Sequence, residues 1–192
     1  MYSYTLGGAA ISSIIIDGYN VIGTAHSSRE KAREDIIDLM IRYKRSKLHD
    51  ITIVFDGYKA GRGNENLSVR GGVAVIYSGL GEKADEVIRR IITKDRKEWI
   101  VVSSDKEIAR HAWAVNSIPV PSDAFIQIVS AEVAGRGAGG IEGGAGDETD
   151  MKGALGEWTN SGGEYEEACS GKGNPYKLSK RGKSVIRALS KL

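Results

Sequence analysis

The chain has 192 residues, of which 41% are hydrophobic and 27% charged, and its formal net charge is +2 at pH 7. These values are typical of a globular protein with one domain and some additional chain, and they exclude a largely disordered protein. No segment approaches the roughly 20 apolar residues of a membrane span, and the first residues lack the pattern of a secretory signal, so we expect a cytoplasmic protein without a membrane partner.

Over the first 131 residues, short apolar runs alternate with amphipathic stretches, which predicts an α/β fold with a parallel sheet. Strands buried on both faces are predicted at 13–16, 51–55, 73–77, 99–102 and 118–120. A capping-box pattern at Ser27 and Glu30 predicts the start of the first helix, and later helices are predicted at 82–93, 106–114 and 122–133. The segment from Gly57 to Gly72 is predicted to be a long loop.

The composition changes after residue 133, which ends the predicted domain of residues 1–133. Residues 134–173 contain 13 of the 25 glycines together with many acids, so they are predicted to form a flexible linker. The tail, residues 174–192, repeats apolar residues at helical spacing and contains no acid, which predicts a short basic amphipathic helix. The residues of its apolar face are Leu178, Val185, Leu189 and Leu192.

Four aspartates lie where parallel sheets place their functional sites, at the carboxyl ends of strands or at the starts of the following helices. Asp17, Asp56 and Asp105 end predicted strands, and Asp85 opens a predicted helix. Neighbouring strand ends lie roughly 4.8 Å apart, so we expect the carboxylates to converge. Such a cluster needs a cation, and oxygen ligands favour Mg²⁺ or Mn²⁺. The chemistry that suits this site is metal-dependent hydrolysis of a phosphodiester.

Each of these residues also has an ordinary structural interpretation. A single aspartate after a strand is usually a turn former or a helix cap. Asn20 orients a water or a ligand, or it bonds to the backbone of its turn, and Ser104 bonds to a metal-bound water or to its own helix end. Arg62 and Arg70 in the predicted loop contact substrate phosphates or solvent. The sequence leaves these alternatives open.

The chain resembles the YacP-like NYN-domain proteins, a branch of the PIN-like nucleases, in four ordered motifs over about residues 14–132. These are Ile16-Asp17-Gly18-Tyr19-Asn20, Val54-Phe55-Asp56-Gly57, Gly81-Glu82-Lys83-Ala84-Asp85 and Val102-Ser103-Ser104-Asp105. The resemblance implies a three-layer α/β/α fold with strand order 3-2-1-4-5 and a metal-dependent endoribonuclease activity, for which mRNA and ribosome-bound RNA are candidate substrates. It also implies a catalytic acidic pocket formed by Asp17, Asn20, Asp56, Asp85 and Asp105.

Other α/β classes fit the sequence less well. A phosphatase of the haloacid dehalogenase type needs a second aspartate two residues after Asp17, where this chain has Tyr19. A dinucleotide-binding domain needs a Gly-x-Gly-x-x-Gly turn after its first strand, and the chain has none there. The alternative from a different class is an RNA-binding or scaffold module that keeps the fold without cutting.

With RNA as the expected partner, the basic tail acquires an expected role. Seven Lys or Arg residues and no acid lie between Lys172 and Leu192, and such a segment releases counterions when it binds phosphates. Docking of the tail on the domain and binding to an anionic membrane surface are the alternatives. The tail residues expected to contact RNA are Lys180, Arg181 and Lys183.

Overall fold

The strands and helices alternate along the chain in the order expected of an α/β fold. The structure, a computed structural model, describes residues 5–6, 9–22, 28–57, 65–95, 97–137 and 180–192. Its elements are β1 (Thr5–Leu6), β2 (Ala9–Ala10), β3 (Ser13–Asp17), α1 (Gly18–Ile22), α2 (Arg29–Ser46), β4 (Asp50–Phe55), β5 (Asn66–Arg70), β6 (Val73–Tyr77), α3 (Ala84–Lys94), β7 (Trp99–Val102), α4 (Lys106–Ala114), β8 (Ile118–Val120), α5 (Ser122–Gly137) and α6 (Lys180–Leu189).

The central sheet has six strands in the order β5-β6-β4-β3-β7-β8, and β1 and β2 form a separate antiparallel pair. The five predicted strands are parallel neighbours in the predicted order 3-2-1-4-5, so this part of the topology is confirmed. In the register, Asp17 pairs with Val54 of β4, and Ile16 pairs with Val102 of β7. The first strand therefore lies in the middle of the sheet, with β4 and β7 on either side.

The prediction of one long loop from Gly57 to Gly72 is wrong, because β5 lies within it and pairs antiparallel with β6 at the edge of the sheet. Gly71 and Gly72 form the two-residue connection, with φ of 56° and 84°. Positive φ at both positions is the geometry that joins two strands tightly, and glycine adopts it without strain. The Gly-Gly pair was the sequence signal for this hairpin.

Helices cover both faces of the sheet, which confirms the three-layer α/β/α fold. Because side chains alternate along a strand, Ile14 and Ile16 belong to one buried cluster and Ile15 to the other. The first cluster packs against α2, α5 and α6, and the second against α3 and α4. Most strand residues are buried on one of these two faces, which explains the continuous apolar runs in the sequence.

Several helix boundaries differ from the sequence predictions, and α3 spans Ala84–Lys94 where residues 82–93 were predicted. The N-cap of α2 is Ser28, whose hydroxyl accepts a hydrogen bond from the Lys31 backbone N–H at 3.4 Å, whereas the prediction placed the cap at Ser27. Helix α5 extends to Gly137, past its predicted end at residue 133. Residues 138–179, most of the predicted linker, lie outside the described residues. Among the described helices, none is long and apolar enough to cross a membrane.

The basic tail docks on the domain. Val185, Ala188, Leu189 and Leu192 are buried in the same cluster as α2 and α5. The Tyr43 hydroxyl donates a hydrogen bond to the Leu192 carbonyl oxygen at 2.7 Å. The structure thus supports the alternative of docking over a tail that reaches out only to bind RNA, because the apolar side of α6 is covered by the core.

Candidate active site

The four aspartates share one face and one edge of the sheet. Ile15 and Val54 contact α3 and α4, and by strand alternation the side chain two residues after each of them points to the same layer. Those side chains are Asp17 and Asp56. Asp85 lies in the first turn of α3, and Asp105 lies directly before α4. Sheet alternation and the two helix starts therefore bring all four acids to one place.

Asp17 and Asp56 are each held by a backbone N–H group. The Oδ1 atom of Asp17 accepts a hydrogen bond from the Asn20 N–H at 3.1 Å, and only 8% of Asp17 is exposed. The Oδ1 atom of Asp56 accepts from the Ala84 N–H at 2.8 Å, at the first residue of α3. Asp56 thus caps a helix that is distant in sequence and fixes its start beside β4.

Asp105 is the N-cap of α4. Its Oδ1 atom accepts hydrogen bonds from the backbone N–H groups of Glu107 at 2.6 Å and Ile108 at 3.2 Å. Its own N–H donates to the Ser103 hydroxyl at 3.1 Å. The helix-cap interpretation is therefore correct for Asp105 as a description of its contacts, and it does not exclude a second role for the carboxylate.

The surroundings of Asp85 disturb the ionisation of its carboxyl group. Burial raises the pKa of the Asp85 carboxyl, and the negative charges of Asp105 and Asp56 raise it further, while Arg89 and Lys83 lower it in part. Repulsion of this kind is expected where several carboxylates lie near one another. A cation at this edge would relieve that repulsion.

Asn20 connects three loops at the carboxyl edge. Its Oδ1 atom accepts hydrogen bonds from the Ser104 N–H at 2.8 Å and from the Ser122 hydroxyl at 2.6 Å. The Ser104 hydroxyl in turn accepts from the Ser122 N–H at 3.1 Å. Asn20 and Ser104 therefore fix the loop that carries Asp105. Sequence reasoning missed Ser122, whose only signal was its position shortly after a strand.

Two glycines allow the close packing behind the acids. A Cβ atom on Gly57 would lie 1.8 Å from the Ser78 carbonyl oxygen, and one on Gly18 would lie 2.2 Å from the Phe55 ring. The Gly57 N–H also donates to the Ser78 hydroxyl at 3.0 Å. Both glycines thus serve contacts within the protein at this edge.

The donor chemistry of the site fits a hard divalent cation, since carboxylate oxygens are the ligands that Mg²⁺ and Mn²⁺ prefer. Within the described ranges, however, no three His, Cys, Asp or Glu side chains lie close enough to hold a metal ion. Backbone N–H groups hold Asp17, Asp56 and Asp105 in their present orientations. Coordination of one ion by three of these acids therefore requires some carboxylates to rotate.

Of the residues expected to bind substrate, Ser104 lies at this edge and Arg70 does not. Arg70 pairs with Val73 at the start of β6, where the parallel strands have their amino ends. Its guanidinium forms two hydrogen bonds with the Glu34 carboxylate, at 2.9 and 2.6 Å. It is therefore not available beside the acids as the sequence suggested. Arg62 lies outside the described residues. The three tail cations are carried by α6, on the docked tail; they are Lys180, Arg181 and Lys183.

Comparison with known proteins agrees with the fold and with the motifs identified in the sequence. The family model described as YacP-like NYN domain matches residues 14–136. The fold is similar to a crystal structure of a mutant of Rae1 (YacP) from Bacillus subtilis, with 21% identity, a TM-score of 0.55, and coverage of 66% of this chain and 79% of that chain. A second Rae1 (YacP) crystal structure from the same organism gives 19% identity, a TM-score of 0.52, and coverage of 79% and 86%. A search of curated proteins gave no match.

Proposed function

Because the chain belongs to the YacP-like NYN domain family, a branch of the PIN-like nucleases, we propose that it is a metal-dependent endoribonuclease that hydrolyses RNA phosphodiester bonds. The observation that supports this function most directly is the placement of Asp17, Asp56, Asp85 and Asp105 on one face at one edge of the sheet. The substrate would lie across this edge, at the carboxyl ends of β4, β3 and β7.

In the proposed mechanism these four aspartates would hold Mg²⁺ or Mn²⁺. The bound metal would lower the pKa of a water molecule and offset negative charge on the phosphate. Asn20 and Ser104 act by position: their hydrogen bonds to each other and to Ser122 fix the loop before α4. Asp105, carried by that loop, presents its carboxylate at the start of the helix.

The tail cations remain part of the proposal as RNA contacts outside the acidic edge, by which we mean the carboxyl edge of the sheet with its four aspartates. Lys180, Arg181 and Lys183 lie on α6, and the Arg181 guanidinium lies 5.6 Å from the centre of the Trp113 ring. A docked basic helix presents its charges in a fixed arrangement, which costs less entropy on binding than a mobile segment. We therefore expect the tail to add to RNA affinity and to the stability of the domain.

The test compares the parent protein with Asp17→Asn on total RNA with Mn²⁺. We expect the variant to lose cleavage on the order of 100-fold or more, as when one electrostatic stabiliser is removed from an active site. Asp35→Asn, an exposed acid on α2, is the matched control and should cleave at the parent rate. Calorimetry with Mn²⁺ should show binding to the parent and weaker binding to Asp17→Asn.

The competing function is an RNA-binding or scaffold module that does not cleave. The observation in its favour is that, in the described parts of the chain, no three ligating side chains already enclose a metal position. A parent protein that binds RNA, but neither binds Mn²⁺ nor cleaves, would support this module and refute the nuclease.

A further inference from the structure

Helices α3 and α4 run side by side from the acidic edge toward the opposite edge of the sheet, and facing side chains form a ladder between them. Near the acids, Asp85 lies in the first turn of α3 and Asp105 caps α4. One turn further along α3, Arg89 lies 3.4 Å from the Glu107 carboxylate. At the next turn, Thr93 Oγ1 lies 2.9 Å from the Nε2 atom of a histidine on α4.

A surface cleft of about 340 Å³ lies along this ladder. Two of its lining residues are arginines and one is a histidine, against a single acid. The lining residues are Arg89, Glu107, Arg110, His111 and Ala114. Since Arg89 follows Asp85 by four residues on α3, this arginine begins the cleft about 6 Å along the helix from the acids.

The Arg89 guanidinium is only weakly engaged by the rest of the described protein. Its Nε atom is buried and has no hydrogen-bond partner in the described part of the chain. Its contact with Glu107 is long, and 72% of the Glu107 side chain is exposed. An exposed ion pair of this kind contributes little stability, so an incoming anion can replace the carboxylate at low cost. Arg110 is exposed beside it and adds a second cation.

Phosphate oxygens suit this pair of arginines, because the planar guanidinium donates parallel hydrogen bonds to a phosphate group. We propose that the α3–α4 cleft binds a backbone phosphate of single-stranded RNA adjacent to the acidic edge, with Arg89 and Arg110 as the donors. This inference rests on the proposed function for the identity of the ligand. In this arrangement the cleft positions the RNA strand where it leaves the acids.

The first test measures binding without cleavage. A fluorescent single-stranded RNA is titrated in EDTA at several salt concentrations, with Arg110→Ala compared with the parent. We expect weaker binding and a salt slope reduced by about 0.7, the contribution of one phosphate contact in a single strand. Arg42→Ala, an exposed arginine on α2, is the matched control and should leave both quantities unchanged.

A second variant should change the RNA affinity in the opposite direction. Glu107→Gln removes the carboxylate that competes with phosphate for Arg89, so RNA should bind more tightly than to the parent. Glu30→Gln, an exposed acid in the first turn of α2, controls for the change in net charge. Equal effects of Glu107→Gln and Glu30→Gln would show a general charge effect and would count against the cleft.

The cleavage assay separates this inference from the nuclease proposal. If the parent cleaves RNA, Arg110→Ala should raise KM. If the parent does not cleave but Arg110→Ala still weakens RNA binding and flattens its salt dependence, the nuclease proposal fails and the phosphate subsite stands. If Arg110→Ala binds RNA with the affinity and salt slope of the parent, the subsite is refuted whether or not the protein cleaves.

Discussion

Asp105 has two roles that different substitutions separate. As the N-cap of α4 it accepts hydrogen bonds at 2.6 and 3.2 Å, and as a proposed ligand it contributes a negative charge. Replacing a capping aspartate by alanine typically costs about 1 kcal/mol, whereas asparagine caps a helix about as well as aspartate. Both substitutions also remove the negative charge at the helix start, which costs a further ~0.3 to 1 kcal/mol. Both relieve repulsion with Asp85 as well, and this effect acts in the opposite direction.

We therefore expect Asp105→Asn and Asp105→Ala both to abolish cleavage, while only the alanine variant loses stability. A loss of about 1 kcal/mol lowers the melting temperature of a domain this size by about 2 to 4 °C. Thermal unfolding followed by circular dichroism in EDTA measures the stability, and RNA cleavage with Mn²⁺ measures the activity. Ser28→Ala is the control, because it weakens the cap of a helix that carries none of the four acids and should leave cleavage intact.

Two results would refute this reasoning. An asparagine variant that melts as early as the alanine variant would show that the cap does not account for the stability of this turn. An asparagine variant that cleaves RNA at the parent rate would remove Asp105 from the active site. The first outcome concerns the fold and the second concerns the chemistry, so each assay tests its own part of the argument.

Three further predictions concern packing and electrostatics. Gly57→Ala should destabilise the protein in chemical denaturation, because its Cβ would lie 1.8 Å from the Ser78 carbonyl oxygen, whereas Gly79→Ala should be tolerated, its nearest such contact being 3.5 Å. Leu189→Ala should lower the free energy of unfolding by about 2 to 5 kcal/mol, the usual cost of truncating a buried leucine, and a parent-like value would argue against docking of α6. Asp85→Asn should raise the melting temperature of the metal-free protein at pH 7, because burial and repulsion hold the pKa of Asp85 above its usual range and disfavour the charged form in the fold. The gain should shrink as the pH falls through the raised pKa toward the ordinary carboxyl range, where aspartate is protonated in both states.

The sequence predicted the parallel strands well, because each is a continuous apolar run buried on both faces. It missed β5, whose residues alternate between exposed and half-buried and whose Leu67 and Val69 face solvent. An edge strand of this kind lacks the apolar run that marks a central strand. Only the Gly71–Gly72 pair indicates the hairpin, and glycine pairs are also common in loops.

The position of the acids was predictable because strand ends in a parallel sheet meet at one edge. What the sequence could not show was which atoms hold each carboxylate. Asp56 caps α3 across 28 residues of sequence, and Asn20 bonds to Ser122 across 102 residues. Such contacts depend on how the loops pack, and sequence spacing contains no information about them.

The surface on which the tail docks was also not predictable from the sequence. Helical spacing of Val185 and Leu189 predicts an apolar face, but it does not identify the surface that covers that face. The Tyr43 hydroxyl and the His49 ring contact the carbonyl groups of the last two residues, at 2.7 and 3.1 Å. Neither residue carried a sequence signal for this role, since a buried tyrosine or histidine fits any apolar core.

The helix starts explain how four aspartates can share one edge before any cation binds. The N-termini of α3 and α4 carry partial positive charge, and Asp56 and Asp105 accept hydrogen bonds from their first N–H groups. Asp85 accepts no such bond among those observed at the two helix starts, and burial together with the negative charges of Asp105 and Asp56 raises the pKa of its half-buried carboxyl. A cation at this edge would therefore favour the charged form of Asp85, and replacing Asp85 should weaken metal binding while leaving the helix caps in place.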